Sequence, residues 1–202
     1  MALDPYALTT LANVKSHLNI TVATQDAKLE RMINAASLKI EQFLDRKILK
    51  RSYTEYQDGR LNDRIVLRHW PCDKPTELWS DASGLFADSS NQIDANDFVL
   101  EGDPAIGVVL LNGLVFPRSN KSIKIVYQAG YDTVPYDIEE ACILSVEFMY
   151  DMSADRRIGV KSKGKNGETT TFAGDLPIFV KDMLTPYQRY EFGISPIAIQ
   201  NS

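Results

Sequence analysis

The run with the most chemical promise is Gly159-Val160-Lys161-Ser162-Lys163-Gly164-Lys165-Asn166, which meets the phosphate-binding pattern GxxxxGK[ST] at every position but the last. In that pattern backbone N–H groups cradle phosphate, the lysine reaches the outer phosphates and the closing hydroxyl ligates Mg²⁺. Asn166 has no hydroxyl. The run also follows a helical pattern and leads into Asn-Gly-Glu-Thr-Thr-Thr, whereas a phosphate loop follows a strand and opens a helix. It reads as a basic loop. His17 and His69, the two histidines, have no Ser, Cys or metal-ligand partner at a catalytic spacing. Nothing marks Cys72, in Trp70-Pro71-Cys72, as an activated thiol. Asp94-Ala95-Asn96-Asp97 offers calcium-type oxygens, but Val99 stands where such a loop needs glycine and no glutamate closes it. Catalytic, metal and cofactor sites are therefore expected to be none, and the chain reads as non-enzymatic.

The elements that would position any site fall into three blocks. Thr9 or Thr10 can cap a short helix with Leu11, Val14 and Leu18 on one side. Residues 26–46 then carry the strongest helical period. Leu29, Met32, Ile33, Ala36, Ile40, Phe43 and Leu44 form the inward stripe, with Glu41 among the polar residues opposite. From Ile48 to Tyr131 the period changes to short Tyr-, Val- and Ile-rich segments separated by turn residues. Strands are predicted at Ser52–Gln57, Arg64–Leu67, Glu77–Ser80, Phe98–Leu100, Val108–Leu111 and Ile123–Tyr127. Asn112-Gly113 predicts a hairpin between Val108–Leu111 and Leu114–Phe116. No helical pattern interrupts this block, which argues against a parallel dinucleotide-binding sheet. Helices return with Asp137 as predicted N-cap and Ile138, Ala141, Cys142, Ser145, Phe148 and Met152 inward. A last helix opens at Asp175-Leu176-Pro177 with Phe179, Val180, Met183 and Leu184 inward, and Pro186 breaks it.

The expected fold class is α+β: a small bundle of about four helices with an antiparallel β region inserted between helices two and three. The expected division is 1–47 for the first helices, 48–133 for the β insertion and 134–155 for the third helix. Residues 156–175 read as a flexible basic loop, and 176–202 as the last helix with a C-terminal docking tail.

The 202 residues carry 22 Lys and Arg against 27 Asp and Glu, a net charge of −5, and 44% are hydrophobic. That excludes a wholly disordered chain, and the acidic balance disfavours a protein whose main task is gripping nucleic acid. Two cysteines seventy positions apart make neither a disulfide framework nor a zinc site. With no secretion signal at the start and no apolar run of membrane-spanning length, a soluble protein made in the cytoplasm is expected.

Charge is unevenly placed. Residues 76–103 hold acids only, with Asp81, Asp88, Asp94 and Asp97 as a candidate contact face. Residues 156–165 hold bases only: Arg156, Arg157, Lys161, Lys163 and Lys165. Two solvated loops would look like this. So would an acidic patch meeting the basic loop of the next subunit, or a basic loop meeting DNA phosphates. Tyr187, Arg189, Tyr190, Phe192, Ile194, Ile197 and Ile199 make an apolar tail that either folds back on the core or docks a partner.

Four ordered stretches resemble the head–tail connector proteins of tailed bacteriophages. Leu8–Leu18 resembles that family's opening helix and Ala35–Arg46 its second. Val126-Tyr127-Gln128-Ala129-Gly130-Tyr131, followed by Val134-Pro135 and a helix, resembles its strand-to-helix junction. Leu176-Pro177 through Leu184-Thr185-Pro186-Tyr187-Gln188-Arg189 resembles its closing helix. The β insertion is longer than in short members, and the tail past Tyr190 runs further. The resemblance implies a structural adaptor in the virion, assembled as a ring, twelve-fold on the portal. It would bridge portal to neck or tail protein and extend the channel through which packaged DNA passes without sequence-specific binding. It also implies that the C-terminal segment docks the portal. A DNA-binding packaging or head-completion factor is the alternative.

Overall fold

The computed structural model describes residues 2–101, 107–154, 162–165, 168–171 and 176–188. The chain divides into two compact units, Met1–Arg46 with Val134–Ser202, and Lys47–Thr133. Among the described residues, four helices and antiparallel sheets, with the two three-stranded sheets between the second and third helices, give the α+β class expected.

In the first unit, α1 spans Leu11–His17, and the Thr10 hydroxyl accepts the Asn13 N–H at 3.2 Å, closing its first turn. The second helix, α2, spans Asp26–Leu44. Its 3.6-residue stripe of Leu29, Ile33, Ala36, Ile40 and Leu44 is buried, and Asp45 ends it in the left-handed region (φ 50°). Helices α3 (Tyr136–Ala154) and α4 (Ile178–Leu184) complete the set. Contacts run α1 to α2, α1 to α3, α2 to α3 and α3 to α4. Polar ties lock them: Glu139 of α3 accepts from the Thr9 hydroxyl at 3.1 Å and from Asn13 at 2.7 Å.

Three expectations about helices are corrected. Asp137 does not cap α3; it lies inside the first turn, and the Pro135 carbonyl takes the N–H groups of Ile138 and Glu139. Glu41, expected on the wet face, is buried because it sits one position from Ile40 at the edge of the stripe. Phe179, expected inward, is 52% exposed, since a seven-residue helix buries only Val180 and Leu184, spaced four apart.

The second unit is a two-sheet β structure. Its strands are β1 (Arg51–Gly59), β2 (Arg64–Val66), β3 (Glu77–Ser80), β4 (Phe98–Glu101), β5 (Val108–Leu111) and β6 (Ser119–Ala129). One sheet has the order β1-β6-β3 and the other β2-β5-β4, every pair antiparallel. Leu78, Ile123, Ile125 and Tyr127 from the first sheet share one core with Ile65, Phe98, Val109 and Leu111 from the second. Alternate residues of each strand therefore point into a common interior and the others point away from it. Full burial of a side chain such as Ile125 stabilises by roughly 1.5–3 kcal/mol.

The predicted Asn112-Gly113 hairpin is not formed. Val108–Leu111 pairs instead with β2 and β4; the Asn112 N–H bonds to Asp97 O and the Phe116 N–H to Asn62 O, which sends Phe116 into the core. Where the chain enters and leaves the unit, Ile48–Lys50 runs against Tyr131, and Lys50 bridges Asp73 at 3.0 Å and Asp132 at 2.8 Å. Outside this unit, the stretch read as a basic loop carries a two-stranded hairpin, β7 (Ser162–Lys165) with β8 (Glu168–Thr171). Among the described residues, no helix is long and apolar enough to cross a membrane.

Candidate interaction surfaces

Among the described residues, several side chains with chemical potential are tied into the β unit. Tyr53, Glu55 and Gln57 share the inward side of β1, opposite Tyr127, Ile125 and Ile123 of β6. The buried Tyr127 hydroxyl donates to the Glu55 carboxylate and accepts the His69 N–H at 3.2 Å. Glu55 also accepts the Arg68 N–H at 3.1 Å and the Gln57 amide at 3.1 Å. The His69 ring stacks on Tyr53 with centroids 3.9 Å apart. This knot fastens the segment after β2 to the β1-β6-β3 sheet. Burial, then the Glu55 hydrogen bond, pushes the Tyr127 phenol above its ordinary range. Burial also pushes the Cys72 thiol up to about 11 and Cys142 to about 12, the opposite of what a nucleophilic cysteine needs. His17 lies 3.1 Å from Glu147 at the surface of the helical unit.

The acidic segment is a framework of local turns. Asp81 was expected on the contact face but is 6% exposed. One of its oxygens takes the Ser83 hydroxyl at 2.6 Å and the Ser83 N–H at 2.8 Å, and the other takes the Phe86 N–H at 2.8 Å. The bonds from Ser83 hold its carboxyl below the ordinary carboxylate range. Asp88 accepts the Ser90 N–H at 2.9 Å and is likewise held low; Asp94 accepts both Asn96 nitrogens at 2.8 Å. Asp88, Asp94 and Asp97 remain exposed, so three of the four acids still face solvent. The Asp81 turn also thrusts out Leu85, 77% exposed, and brings Phe86 within 5.6 Å of Tyr56.

Of the candidate basic group, Lys163 and Lys165 fall on β7, while Arg156, Arg157 and Lys161 lie outside the described residues. Of the candidate docking tail, Tyr187 alone is described. It closes a turn after α4, and its hydroxyl donates to the Asp137 carboxylate at 3.2 Å. Arg189, Tyr190, Phe192, Ile194, Ile197 and Ile199 lie outside the described residues.

Sequence reasoning missed the outward sides of the two β sheets. On β2-β5-β4, Val66 and Val99 are exposed (48% and 40%) and flank the half-buried Val108 and Leu110. On β1-β6-β3, Tyr56, Lys124 and Trp79 lie in one cross-strand row, with Lys124 3.6 Å from Glu77 and 5.2 Å from the Trp79 ring. A signal for the first was in view: Val108-Val109-Leu110-Leu111 has no polar residue for a wet face.

A family model described as "Head completion protein" matches residues 7–190. No curated protein matches. Among solved structures, the neck of an empty GTA particle computed with C6 symmetry is similar at TM-score 0.61 and 19% identity, covering 95% of this chain and 94% of that one. The neck of a native GTA particle computed with C12 symmetry is similar at TM-score 0.60 and 18% identity, covering 95% and 93%. A chain of the virion of a native gene transfer agent particle gives 0.59 and 18%, covering 95% and 94%. At these identities the likeness is one of fold.

Proposed function

The chain belongs to the head completion protein family, and on that premise we propose that it is a structural head–tail connector of a tailed-phage-type particle. Its copies form a ring beneath the portal, twelve in the virion, which extends the DNA channel and joins the head to the neck or tail. Assembly takes place in the host cytoplasm. The observation that carries this reading is the family match, which spans both compact units. The fold shared with the two GTA necks supports it, as do a surface with exposed apolar side chains and side-chain chemistry committed to internal ties.

In this reading the segment from Tyr187 to Ile199 docks the portal. Asp88, Asp94 and Asp97 face the basic segment around Lys161, Lys163 and Lys165 of the next copy, a heterologous contact of opposite charges. Packaged duplex passes through without base-specific contact, consistent with a net charge of −5. The test is to mix the full chain with its portal and weigh the products by native mass spectrometry. A multi-copy ring bound to the portal is expected. A chain that never joins the portal, with a variant truncated after Gln188 behaving identically, would remove the reading.

A further inference from the structure

We propose that the two outward sides of the β unit are the two halves of one repeated contact. The outer side of β2-β5-β4 on one copy packs on the outer side of β1-β6-β3 on the next. This rests on the ring reading above and assigns its interface.

The need for a cover comes from β5. An antiparallel sheet wet on one side alternates apolar and polar residues, whereas strands covered on both sides read as unbroken aliphatic runs. Val108–Leu111 is such a run. Its inward members Val109 and Leu111 are in the core, and its outward members Val108 and Leu110 sit between Val66 and Val99. Across this patch runs the pair Arg64–Glu101 at 3.9 Å, both partners about half exposed. A pair that long and that wet holds its place weakly.

Three observations make the cover a second copy of this chain. The first is direction. Because both sheets face one shared core, their outer sides look opposite ways, so each copy offers one to the copy ahead and the other to the copy behind. Head-to-tail closure into a ring requires that arrangement. The second is charge. Arg64 and Glu101 flank one side, and Glu77 and Lys124, 3.6 Å apart, mark the other. Laid antiparallel, Arg64 meets Glu77 and Glu101 meets Lys124, with no like charges opposed. The third is area. Three strands about 4.8 Å apart and four residues long at ~3.4 Å each make a footprint of roughly 200 Å². Stable pairs bury about 800 Å² per partner. A contact this small does not hold two free copies together. It persists only when repeated around a closed ring that the portal templates.

The test uses the full chain assembled on its portal. Thr54 and Val99 are exposed on the two proposed sides, and the native Cys72 and Cys142 are both buried. In the double variant Thr54→Cys/Val99→Cys, oxidation should link successive copies into a covalent ladder, with each single variant giving none. Separately, Val66→Lys should lower ring yield at least tenfold with the unfolding midpoint of the free chain unchanged. Should rings form normally in Val66→Lys, with no ladder in the double variant, the inference fails and the connector reading stands; the patch would then be covered by another occupant. If the parent chain joins no ring, both fall.

Discussion

Replacing Tyr127 by Phe probes the knot at the centre of the β unit. The ring is fully buried and stays in place, so no cavity opens. Only the hydroxyl goes, and with it two hydrogen bonds: the one it donates to Glu55 and the one it accepts from the His69 N–H. Glu55 keeps the Arg68 N–H and the Gln57 amide. A lost hydrogen bond to a charged group costs about 1.5–3 kcal/mol, and loss of the part-buried bond from the His69 N–H adds about 0.5–1.5 kcal/mol. Because the two losses share one atom, the expected destabilisation is about 2–4 kcal/mol. The assay is urea unfolding followed by tryptophan fluorescence. Both tryptophans, Trp70 and Trp79, lie in the Lys47–Thr133 unit, so the signal reports that unit alone. The phenol's raised pKa adds a pH signature. Its stabilising effect is complete below the unfolded value near 10 and is lost as pH rises through the folded one, so the variant should lose that alkaline component. A change below about 0.5 kcal/mol, within the range of neutral surface substitutions, would refute the knot as a fastening.

Other expectations can be checked alongside. Gly59→Ala places a Cβ 1.8 Å from the Pro117 carbonyl oxygen and should destabilise the β unit by about 2 kcal/mol or more in the same fluorescence titration. Asp81 is held below its ordinary range, so its turn is stable above pH ~4 and loosens as pH falls through the folded value. Protection of the Ser83 and Phe86 amides against exchange, taken relative to the intrinsic rate at each pH, should fall in acid, and in Asp81→Asn at neutral pH, because Asn keeps a single acceptor oxygen. Cys142 is raised to about 12, so its contribution is intact below ~8.5 and lost as pH climbs from there. Cys142→Ala should flatten the loss of stability in alkali by about 1.4 kcal/mol per pH unit in that window. Affinity for bare duplex DNA should be negligible at physiological salt in a filter-binding assay, in keeping with the net charge.

The sequence made legible whatever depends on local periodicity. The α2 stripe and all six strand positions of the β unit stand where the 3.6- and 2-residue patterns put them. Pairing was less legible, because Asn112-Gly113 is a local signal while the partners of β5 lie in two distant segments. Side chains at stripe edges were misjudged, Glu41 inward and Phe179 outward. Asp81 shows the same limit, since an acid in an acidic segment looks solvated until the turn around it is seen. The knot left one trace: Glu55 and Gln57 sit on the inward parity of a strand that also turns Tyr53 inward. Polar residues at core positions signal internal hydrogen bonding, but Tyr127, seventy-two positions from Glu55, cannot be paired with it from spacing alone.

The account stands or falls on where this polypeptide resides. A side-chain-resolution electron cryo-microscopy map of the particle neck decides it. The account predicts a closed ring between portal and tail whose density fits both units of this chain, Trp70 and Trp79 included, in twelve copies. A neck fully explained by other polypeptides, with no density for this one, would contradict it.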